Sequence, residues 1–274
     1  TVLGSSTKTL TGNDAYYNSF TERSFLAFDA AYRSGPPSGL ANAAKLLVGS
    51  NANLVKPESV KAFDLGYRGT FKGFALDLNG YYNMYNDFIG GFNVVSPYYG
   101  KAETNPNVLT NESSNALANR EFRVYQVYTN TSLVVKSLGL GAGVSKKVYK
   151  NFEVSGNYNY SQFDFDQAKD PDFEASFNTP KHRAKATISN DKLIGNLGVT
   201  VSGRWNSAYL WESSFADAMI EEATVIDLQA NYEFPKLKST LKLGATNIGG
   251  KEYGQVIGAG NIGQQYFVSW VINP

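Results

Sequence analysis

The stretch Ile226–Phe234 reads IDLQANYEF, and apolar and polar residues alternate in it without a break. Its apolar members are Ile226, Leu228, Ala230, Tyr232 and Phe234, and its polar members are Asp227, Gln229, Asn231 and Glu233. Successive side chains of a β-strand point to opposite faces, so a period of two predicts a strand with one apolar and one polar face. The same alternation recurs along most of the 274 residues, and it therefore decides the fold class.

Alternation and turn-forming residues together predict ten strands along the chain. The predicted strands cover about 22–33, 59–70, 74–88, 122–147, 152–165, 179–189, 196–206, 224–234, 240–248 and 264–273. We interpret 122–147 as one long strand despite its poor alternation, because two strands there would break the alternation of short and long connections. A short helix is expected near 40–47, and the pattern assigns no element to the polar residues 1–21.

The predicted strands have the length and the connections of a membrane barrel. Most of them reach the roughly 9–11 residues with which a tilted strand crosses a bilayer. Short turns alternate with long loops, as periplasmic turns alternate with external loops in outer-membrane barrels. Aromatic residues gather near the strand ends, as in the aromatic girdles of such barrels. They are Tyr158, Tyr160, Trp205, Tyr232, Phe234 and Trp270. The sequence therefore predicts an all-β, antiparallel transmembrane β-barrel whose last strand ends in the periplasm.

A soluble β-sandwich or a lipocalin-like barrel is the alternative, since their strands also alternate. Strand length argues against both, because strands of soluble sheets are mostly five or six residues long. No apolar run approaches the roughly 18 residues of a membrane-spanning helix. The net charge of +1 argues against nucleic acid as a partner, and the absence of cysteine excludes disulfides and thiolate chemistry. The chain opens at Thr1 without a signal peptide, so we expect a removed leader or a longer parent chain.

Five stretches, taken in order, resemble TonB-dependent receptors. The first pairs the segment Leu54–Ser59, which holds Lys56-Pro57-Glu58, with the acidic-x-Gly-aromatic-basic strand Asp64–Arg68. The others are Ala31–Pro36, Asn178–Arg183, Gly244–Ile248 with Lys251–Tyr253, and the closing Tyr266–Trp270. The Ala31–Pro36 stretch has one extra residue before its proline. The chain ends Asn273-Pro274 where many barrels end in an aromatic residue, a role that Trp270 would take.

The resemblance implies a barrel of about 22 strands with an N-terminal plug. Residues 1–274 would then be the C-terminal part of that barrel in the bacterial outer membrane, without the plug. The implied function is active import of a nutrient, driven by the TonB complex through an N-terminal region outside this sequence. The implied partners are outer-membrane lipid and the remaining barrel and plug segments. The region 56–89 is similar to the Sus-type branch that imports glycans or peptides, often with a surface lipoprotein lid, although siderophore receptors share its Lys-Pro-Glu form.

Exposed aromatic residues in the predicted external loops are the candidate ligand-binding residues. They are Trp205, Tyr209 and Trp211 at one rim, and Phe92, Tyr98 and Tyr99 in the loop 89–121. Such rings stack on flat sugar faces or on aromatic ligands, whereas the alternative is a girdle or loop packing. Arg204 and Asp227 are expected to face the lumen and to pair with a plug or with neighbouring strands.

Catalytic and metal sites are not expected. The single histidine, His182, has no second histidine or cysteine to share a metal and is interpreted as the start of a strand. The acidic run from Asp164 to Glu174 lacks the spacing of a known calcium loop, so a solvated external loop is preferred to a calcium site. No nucleophile and base stand in a recognisable arrangement. We therefore expect no enzyme activity and no cofactor.

A self-contained barrel of ten strands, acting as a passive pore, an adhesin or an assembly component, is the alternative function. The two hypotheses differ in whether these 274 residues fold alone. If the chain is one part of a larger receptor, it should fail to form a heat-modifiable, detergent-stable barrel by itself, because its edge strands lack partners. A gel-mobility shift on boiling measures this. A stable barrel from the isolated chain would instead support the self-contained alternative.

Overall fold

The computed structural model describes residues 9–35, 39–50, 52–102, 112–213 and 216–272. The helices of this part of the chain are α1 Gly12–Tyr17, α2 Glu22–Arg33, α3 Gly39–Ala44 and α4 Glu112–Ala118. The first eight strands are β1 Phe20–Thr21, β2 Ser59–Phe71, β3 Phe74–Asn86, β4 Ile89–Pro97, β5 Phe122–Asn130, β6 Val135–Lys147, β7 Glu153–Asp164 and β8 Phe173–Glu174. The remaining seven are β9 His182–Ile194, β10 Leu197–Asn206, β11 Tyr209–Trp211, β12 Ala218–Ile220, β13 Ala223–Phe234, β14 Ser239–Thr246 and β15 Gln265–Ile272. Within the described ranges, no helix has both the length and the apolar character of a membrane span.

Nine strands form one sheet, and their order in the sheet follows their order in the chain. That order is β2, β3, β6, β7, β9, β10, β13, β14 and β15. The pairs from β6 to β15 are antiparallel. The predicted antiparallel architecture is therefore confirmed. Among the described residues, β2 and β15 are the two edge strands, so the sheet is not closed.

Short turns leave one end of this sheet and long connections leave the other. The short turns are 72–73, 148–152, 195–196 and 235–238, and the long connections are 87–134, 165–181, 207–222 and 247–264. In the first turn φ is 47° at Lys72 and 78° at Gly73. Positive φ at both central residues gives a turn whose twist matches that of the two flanking strands. The predicted alternation of short and long connections is confirmed.

The register across the sheet aligns apolar residues into one continuous face. One row runs Val154, Ile188, Val201, Leu228, Ala245 and Tyr266, and a second runs Tyr232, Leu241 and Trp270. Most of these side chains are exposed, with Tyr266 75%, Trp270 53% and Ile188 50% exposed. Water-soluble proteins rarely expose an apolar surface of this extent, so the face suits the hydrocarbon of a bilayer.

The chain divides into two compact units. One unit, here the loop unit, comprises the described residues within 1–60, 85–135 and 165–176, and the other, the sheet unit, comprises the rest. In the loop unit β4 pairs with β1, β5 and β8. Its core side chains are almost fully buried, among them Phe20, Phe28, Val95 and Leu117. The sheet unit contains most of the nine-stranded sheet and the hairpin β11–β12.

The strand predicted at 22–33 is wrong, because this segment is helix α2. Its apolar residues also fit helical spacing: Phe25 and Phe28 are buried while Leu26 is 58% exposed. The Thr21 side chain accepts a hydrogen bond from the backbone N–H of Ser24, which caps the helix at its first turn. The apolar residues of 22–33 therefore fit a helical period as well as they fit the period of two of Leu26, Phe28, Ala30 and Tyr32.

The single strand predicted at 122–147 is also wrong. It consists of β5, which pairs with β4 in the loop unit, and β6, which pairs with β7 in the sheet. The polar run Thr129–Ser132 interrupts the alternation at the division, and the backbone N–H of Thr131 bonds to the carbonyl oxygen of Phe88. The alternation of connections survives because β5 belongs to the long connection 87–134.

Several predicted loops contain short elements. Part of 89–121 forms β4 and α4, and 207–223 contains β11 and β12, while the helix expected near 40–47 is α3. The unassigned residues 1–21 contain α1 and β1 among those that the structure describes. Residues 36–38 and 103–111, which belong to two of the predicted loops, lie outside the described residues.

The Lys56-Pro57-Glu58 segment is held by hydrogen bonds and one ion pair within the loop unit. The Asn130 side-chain oxygen accepts the backbone N–H of Lys56, and its amide donates to the carbonyl oxygens of Lys56 and Asp87. The Lys56 ammonium lies 2.8 Å from the Asp87 carboxylate, and Glu58 accepts the backbone N–H of Ile89. These contacts fasten the start of β2 to the end of β3 and the start of β4.

The two faces of β13 give a matched test of the bilayer assignment. Leu228 lies at the middle of β13 on the apolar face, and Gln229 is the next residue on the polar face. Leu228→Arg should destabilise the folded protein in lipid by about 2–4 kcal/mol, because it places a cation near the bilayer midplane. Urea unfolding in lipid vesicles measures the change. Gln229→Arg, with the same added charge, should have little effect, and equal destabilisation by both would refute the assignment.

Candidate functional site

The polar face of the sheet unit carries three cations on neighbouring strands. Lys185 of β9 lies directly opposite Arg204 of β10, and Arg183 lies opposite Asn206. On the other side of β9, Asn157 lies opposite Lys185 and Asn159 opposite Arg183. Like charges directly opposite in a sheet repel each other and destabilise it. A sheet that keeps Lys185 opposite Arg204 thus presents positive charge at a cost in its own stability.

A cavity of about 240 Å³ lies over these residues. Its lining includes Asn157, Asn159, Arg183, Lys185, Arg204 and Asn206 from the strands, with Tyr253 and Gln255 from the connection after β14. A larger cavity of about 570 Å³ continues along the same face and is lined in part by Arg68, Asp77 and Lys185. The polar face is therefore a surface lined by amides and cations.

One carboxylate balances part of this charge. The Nε of Arg204 lies 3.7 Å from Oδ2 of Asp227, and the other oxygen of Asp227 accepts the backbone N–H of Asn247 at 3.1 Å. The expectation that Arg204 and Asp227 pair with neighbouring strands is confirmed. Arg183 and Lys185 form no ion pair with any described residue. They remain available to an anionic group.

The aromatic candidates of the sheet unit occupy three different settings. Trp205 alternates with Arg204 and lies opposite Ala184, which places it in the apolar-face series. The Tyr209 hydroxyl donates to the carbonyl oxygen of Gln255 at 3.0 Å. Burial raises the pKa of Tyr209, and the charge of Arg183 opposes that shift. Trp211 pairs with Ala218 in the hairpin β11–β12. Of the three, Trp205 is among the residues that line the cation-lined cavity, and Tyr209 is linked to that cavity through Gln255.

The candidates of the loop unit take part in packing and hydrogen bonding. Phe92 is 7% exposed and packs in a core cluster. The Tyr99 hydroxyl donates to the Glu121 carboxylate at 2.6 Å, and this hydrogen bond raises the pKa of Tyr99, with burial adding to the shift. The backbone N–H of Tyr98 bonds to the Glu121 carbonyl oxygen. A ligand-binding role for all six aromatic residues stays a prediction.

The acidic run Asp164–Glu174 is more ordered than the solvated loop expected from its sequence. Phe173 is 1% exposed, and β8 pairs with β4. The Thr131 hydroxyl donates to Asp170 at 2.6 Å, and the Asn93 amide donates to Glu174 at 2.9 Å. No set of three His, Cys, Asp or Glu residues among the described residues is arranged to hold a metal ion. The alternation of acidic and aromatic residues here reflects docking within the loop unit.

His182 is the first residue of β9, as the strand-start interpretation predicts. Its Nδ1 lies 2.7 Å from the Tyr158 hydroxyl, and its ring centroid is 5.3 Å from that of Tyr160. His182, Ala184 and Ala186 alternate along the apolar face, so this cluster lies on that face at the end of β9 next to a long connection, where an aromatic girdle is expected.

Comparison with known proteins gives the family. The family model described as "TonB dependent receptor-like, beta-barrel" matches residues 5–248. The chain belongs to the TonB-dependent receptor family. Members of this family are outer-membrane β-barrels of Gram-negative bacteria, and they act as transporters and receptors rather than enzymes. The search of curated proteins finds no match.

Solved TonB-dependent receptors share the fold of the chain at low sequence identity. FpvA of P. aeruginosa, in complex with a pyoverdine and iron, is 15% identical with a TM-score of 0.53, over 80% of this chain and 28% of FpvA. The FrpB iron transporter of Neisseria meningitidis is 12% identical with a TM-score of 0.57, over 80% of this chain and 32% of FrpB. The copper transporter OprC is 14% identical with a TM-score of 0.55, over 79% and 31%. The chain thus spans about a third of these receptors.

Sequence reasoning missed most of the cation-lined face. Only Arg204 and Asp227 were expected there, whereas Arg183, Lys185, Asn157 and Asn159 complete it. The signal was present, because Arg183 and Lys185 alternate with Ala184 and Ala186 in β9. The strand register, which brings Lys185 opposite Arg204 and Asn157 and brings Arg183 opposite Asn159, could not be predicted from the sequence.

The partly buried carboxyl of Asp172 gives the loop unit a pH dependence. Burial raises the pKa of Asp172, with Arg23 opposing the shift and Asp170 adding to it. The folded state thus binds this proton more tightly than the unfolded state, so stability falls as pH rises from about 3.9, the ordinary value, through the raised pKa. Asp172→Asn should slow hydrogen exchange of 165–176 at pH 7, and this gain should vanish near pH 3.

The control for this prediction is Asp166→Asn, because Asp166 is an exposed carboxylate of the same segment paired with Lys169. It should give no gain in protection at pH 7. Exchange rates are compared after correction for the intrinsic pH dependence of the exchange chemistry. A slower exchange in both variants, or in neither, would contradict the role of Asp172 burial.

Proposed function

We propose that this chain forms part of the barrel wall and external ligand-facing loops of an importer that moves a nutrient across the outer membrane with energy supplied through TonB. The observation that carries the proposal is the two-faced sheet of a TonB-dependent receptor. One face of it is apolar across seven strands, and the other presents amides and cations around a cavity. Such a wall suits a lumen filled by a plug and a passing polar solute.

The direction of the strands supports a larger barrel over a self-contained one. Gly143, Gly141 and Gly139 of β6 approach Asp77, Asn79 and Tyr81 of β3 in reverse order, so these strands also run antiparallel. Nine strands of alternating direction leave the edges β2 and β15 running the same way. Two such edges cannot pair antiparallel with each other. We infer that further strands lie between them in the complete barrel, and that a plug and a TonB-contacting region accompany those strands.

The sidedness follows from the connections. Outer-membrane barrels keep short turns in the periplasm and long loops outside, so the turns 72–73, 148–152, 195–196 and 235–238 would be periplasmic. The long connections would then meet the ligand first. Tyr98, Tyr99, Tyr209 and Trp211 lie on those connections and remain proposed ligand contacts. Trp205 remains one as well, because it lines the cavity, whereas the burial of Phe92 favours packing.

We propose further that the nutrient carries negative charge. Arg183 and Lys185 lack a described counter-ion, and Arg204 shares one carboxylate with the backbone of Asn247. Lysine and arginine bind anionic groups through charge-assisted hydrogen bonds. FpvA in complex with pyoverdine and iron, together with FrpB and OprC, makes a metal chelate a reasonable first class to test. The Sus-type branch and its lipoprotein lid stay predictions of the sequence resemblance.

Uptake measurements test both proposals. The nutrient is found by screening a strain that lacks this protein against ferric chelates, copper salts, oligosaccharides and peptides. Uptake of that nutrient should stop when TonB is deleted. Arg183→Gln with Lys185→Gln should raise the apparent KM by roughly tenfold or more with little change in maximal rate, since a hydrogen bond to a charged group contributes about 1.5–3 kcal/mol.

The matched control is Lys242→Gln, which removes a cation from the same polar face on β14. It should leave the KM within about twofold of the unsubstituted value, because single surface substitutions have small effects. Uptake that persists without TonB would refute the importer and favour a passive pore. A fall in maximal rate at constant KM would mean that the cations contact the plug rather than the nutrient.

A further inference from the structure

Every short turn of the sheet carries lysine at or beside it. The set, here the lysine belt, is Lys72, Lys146, Lys147, Lys150, Lys192, Lys236 and Lys238. Because the turns leave the same end of the sheet, the seven ammonium groups form one rim. The Asn190 side chain joins two members of this rim: its amide donates to the Lys150 carbonyl oxygen at 2.9 Å, and its oxygen accepts the backbone N–H of Lys192 at 3.0 Å.

The charge of the belt is only partly balanced. Three carboxylates lie at this end of the sheet, those of Glu153, Asp191 and Glu233, which leaves the rim a net charge of +4. None of the seven lysines forms an ion pair with another residue that the structure describes. The long connection 207–222 has the opposite character, with four carboxylates and no lysine or arginine. The formal charge of +1 for the whole chain conceals this polarity.

Three of the lysines lie over aromatic rings at the end of the apolar face. The Lys146 ammonium is 4.0 Å from the ring centroid of Phe74, Lys72 is 5.3 Å from that of Phe71, and Lys150 is 5.2 Å from that of Tyr149. These rings are 39%, 60% and 77% exposed. Aromatic rings at a bilayer interface sit at the level of the headgroups, and lysine extends its charged end from there toward water.

We propose that the lysine belt binds the phosphate groups of anionic glycerophospholipids in the leaflet that faces the periplasm. The inference rests on the sidedness given under the proposed function. A lysine ammonium binds phosphate as a point charge, and a row of them near a membrane surface attracts anionic lipid. The rings beneath Lys72, Lys146 and Lys150 favour lipid over a water-soluble acidic protein, because such a protein would leave their apolar edges without hydrocarbon contact.

Lipid retention measures the selectivity directly. The mature polypeptide, purified from outer membranes in detergent, is mixed with equal amounts of dioleoylphosphatidylglycerol and dioleoylphosphatidylcholine, and retained lipids are counted by native mass spectrometry. We expect phosphatidylglycerol to exceed phosphatidylcholine by about tenfold, since each lysine near an anionic surface favours it several-fold. The combined variant Lys72→Gln, Lys146→Gln, Lys150→Gln and Lys238→Gln should reduce the ratio to about two or less.

The control variant removes four lysines from elsewhere, Lys45, Lys101, Lys169 and Lys251, each replaced by glutamine. It has the same net charge as the belt variant and should keep the preference. Replacing the same four belt lysines by arginine should also keep it. The gel shift on boiling reports whether each variant is folded, and the arginine variant tests the belt even where the glutamine variant fails to fold.

Three results would overturn the inference. The unsubstituted protein could retain both lipids equally, or the control variant could lose the preference as fully as the belt variant. Competition by millimolar glycerophosphoglycerol, the soluble headgroup, would assign the belt to free phosphate esters instead of lipid. If the unsubstituted protein shows no lipid preference while its uptake depends on TonB, only this inference is refuted. If it keeps the preference while uptake persists without TonB, only the proposed function is refuted.

Discussion

The hydrogen bonding of the backbone in hydrocarbon is the constraint on which the structure depends. A bilayer offers no partner to a peptide N–H or C=O, so strands that cross it must satisfy one another. The nine-stranded sheet does this in the simplest way, because each strand between the edges β2 and β15 bonds to the sheet strand before it and the sheet strand after it along the chain. The register that satisfies the backbone also sets the side chains. Leu228 meets Val201 and Ala245 on one face, while Asp227 lies on the other within reach of Arg204.

The loop unit follows the rules of a protein in water. Its apolar side chains are buried against one another, as Phe28 and Val95 are, and its backbone mixes short helices with short strands. A helix such as α2 is stabilised there by one buried face and a capping residue. The sheet strands in lipid depend instead on pairing with their neighbours. The segment Phe173–Glu174 joins the unit by pairing with β4, so long connections separated in sequence share one core.

Charge is distributed along the sheet in a way that the balanced composition hides. Arg183, Lys185 and Arg204 lie on the polar face, and the lysine belt lies at the short-turn end. In both places the cations outnumber the carboxylates near them, and in both the repulsion among them costs stability. Such an arrangement is expected where an outside anion completes the balance, and we propose a solute for the wall and a lipid phosphate for the rim.

The sequence by itself determined the sheet, its antiparallel direction, its two faces and the ends at which turns and long connections lie, because a period of two is a local property of each strand. It also placed His182 at a strand start and Lys56-Pro57-Glu58 before β2. It did not distinguish helix from strand at 22–33, where Phe25 and Phe28 fit one period and Leu26 and Phe28 the other. Only the tertiary structure separated β5 from β6, since β5 pairs with β4 in the loop unit and β6 with β7 in the sheet, and only the register brought Lys185 opposite Arg204. Which strands pair, and in which register, depends on residues that are far apart in the sequence, and a local alternation pattern does not specify it.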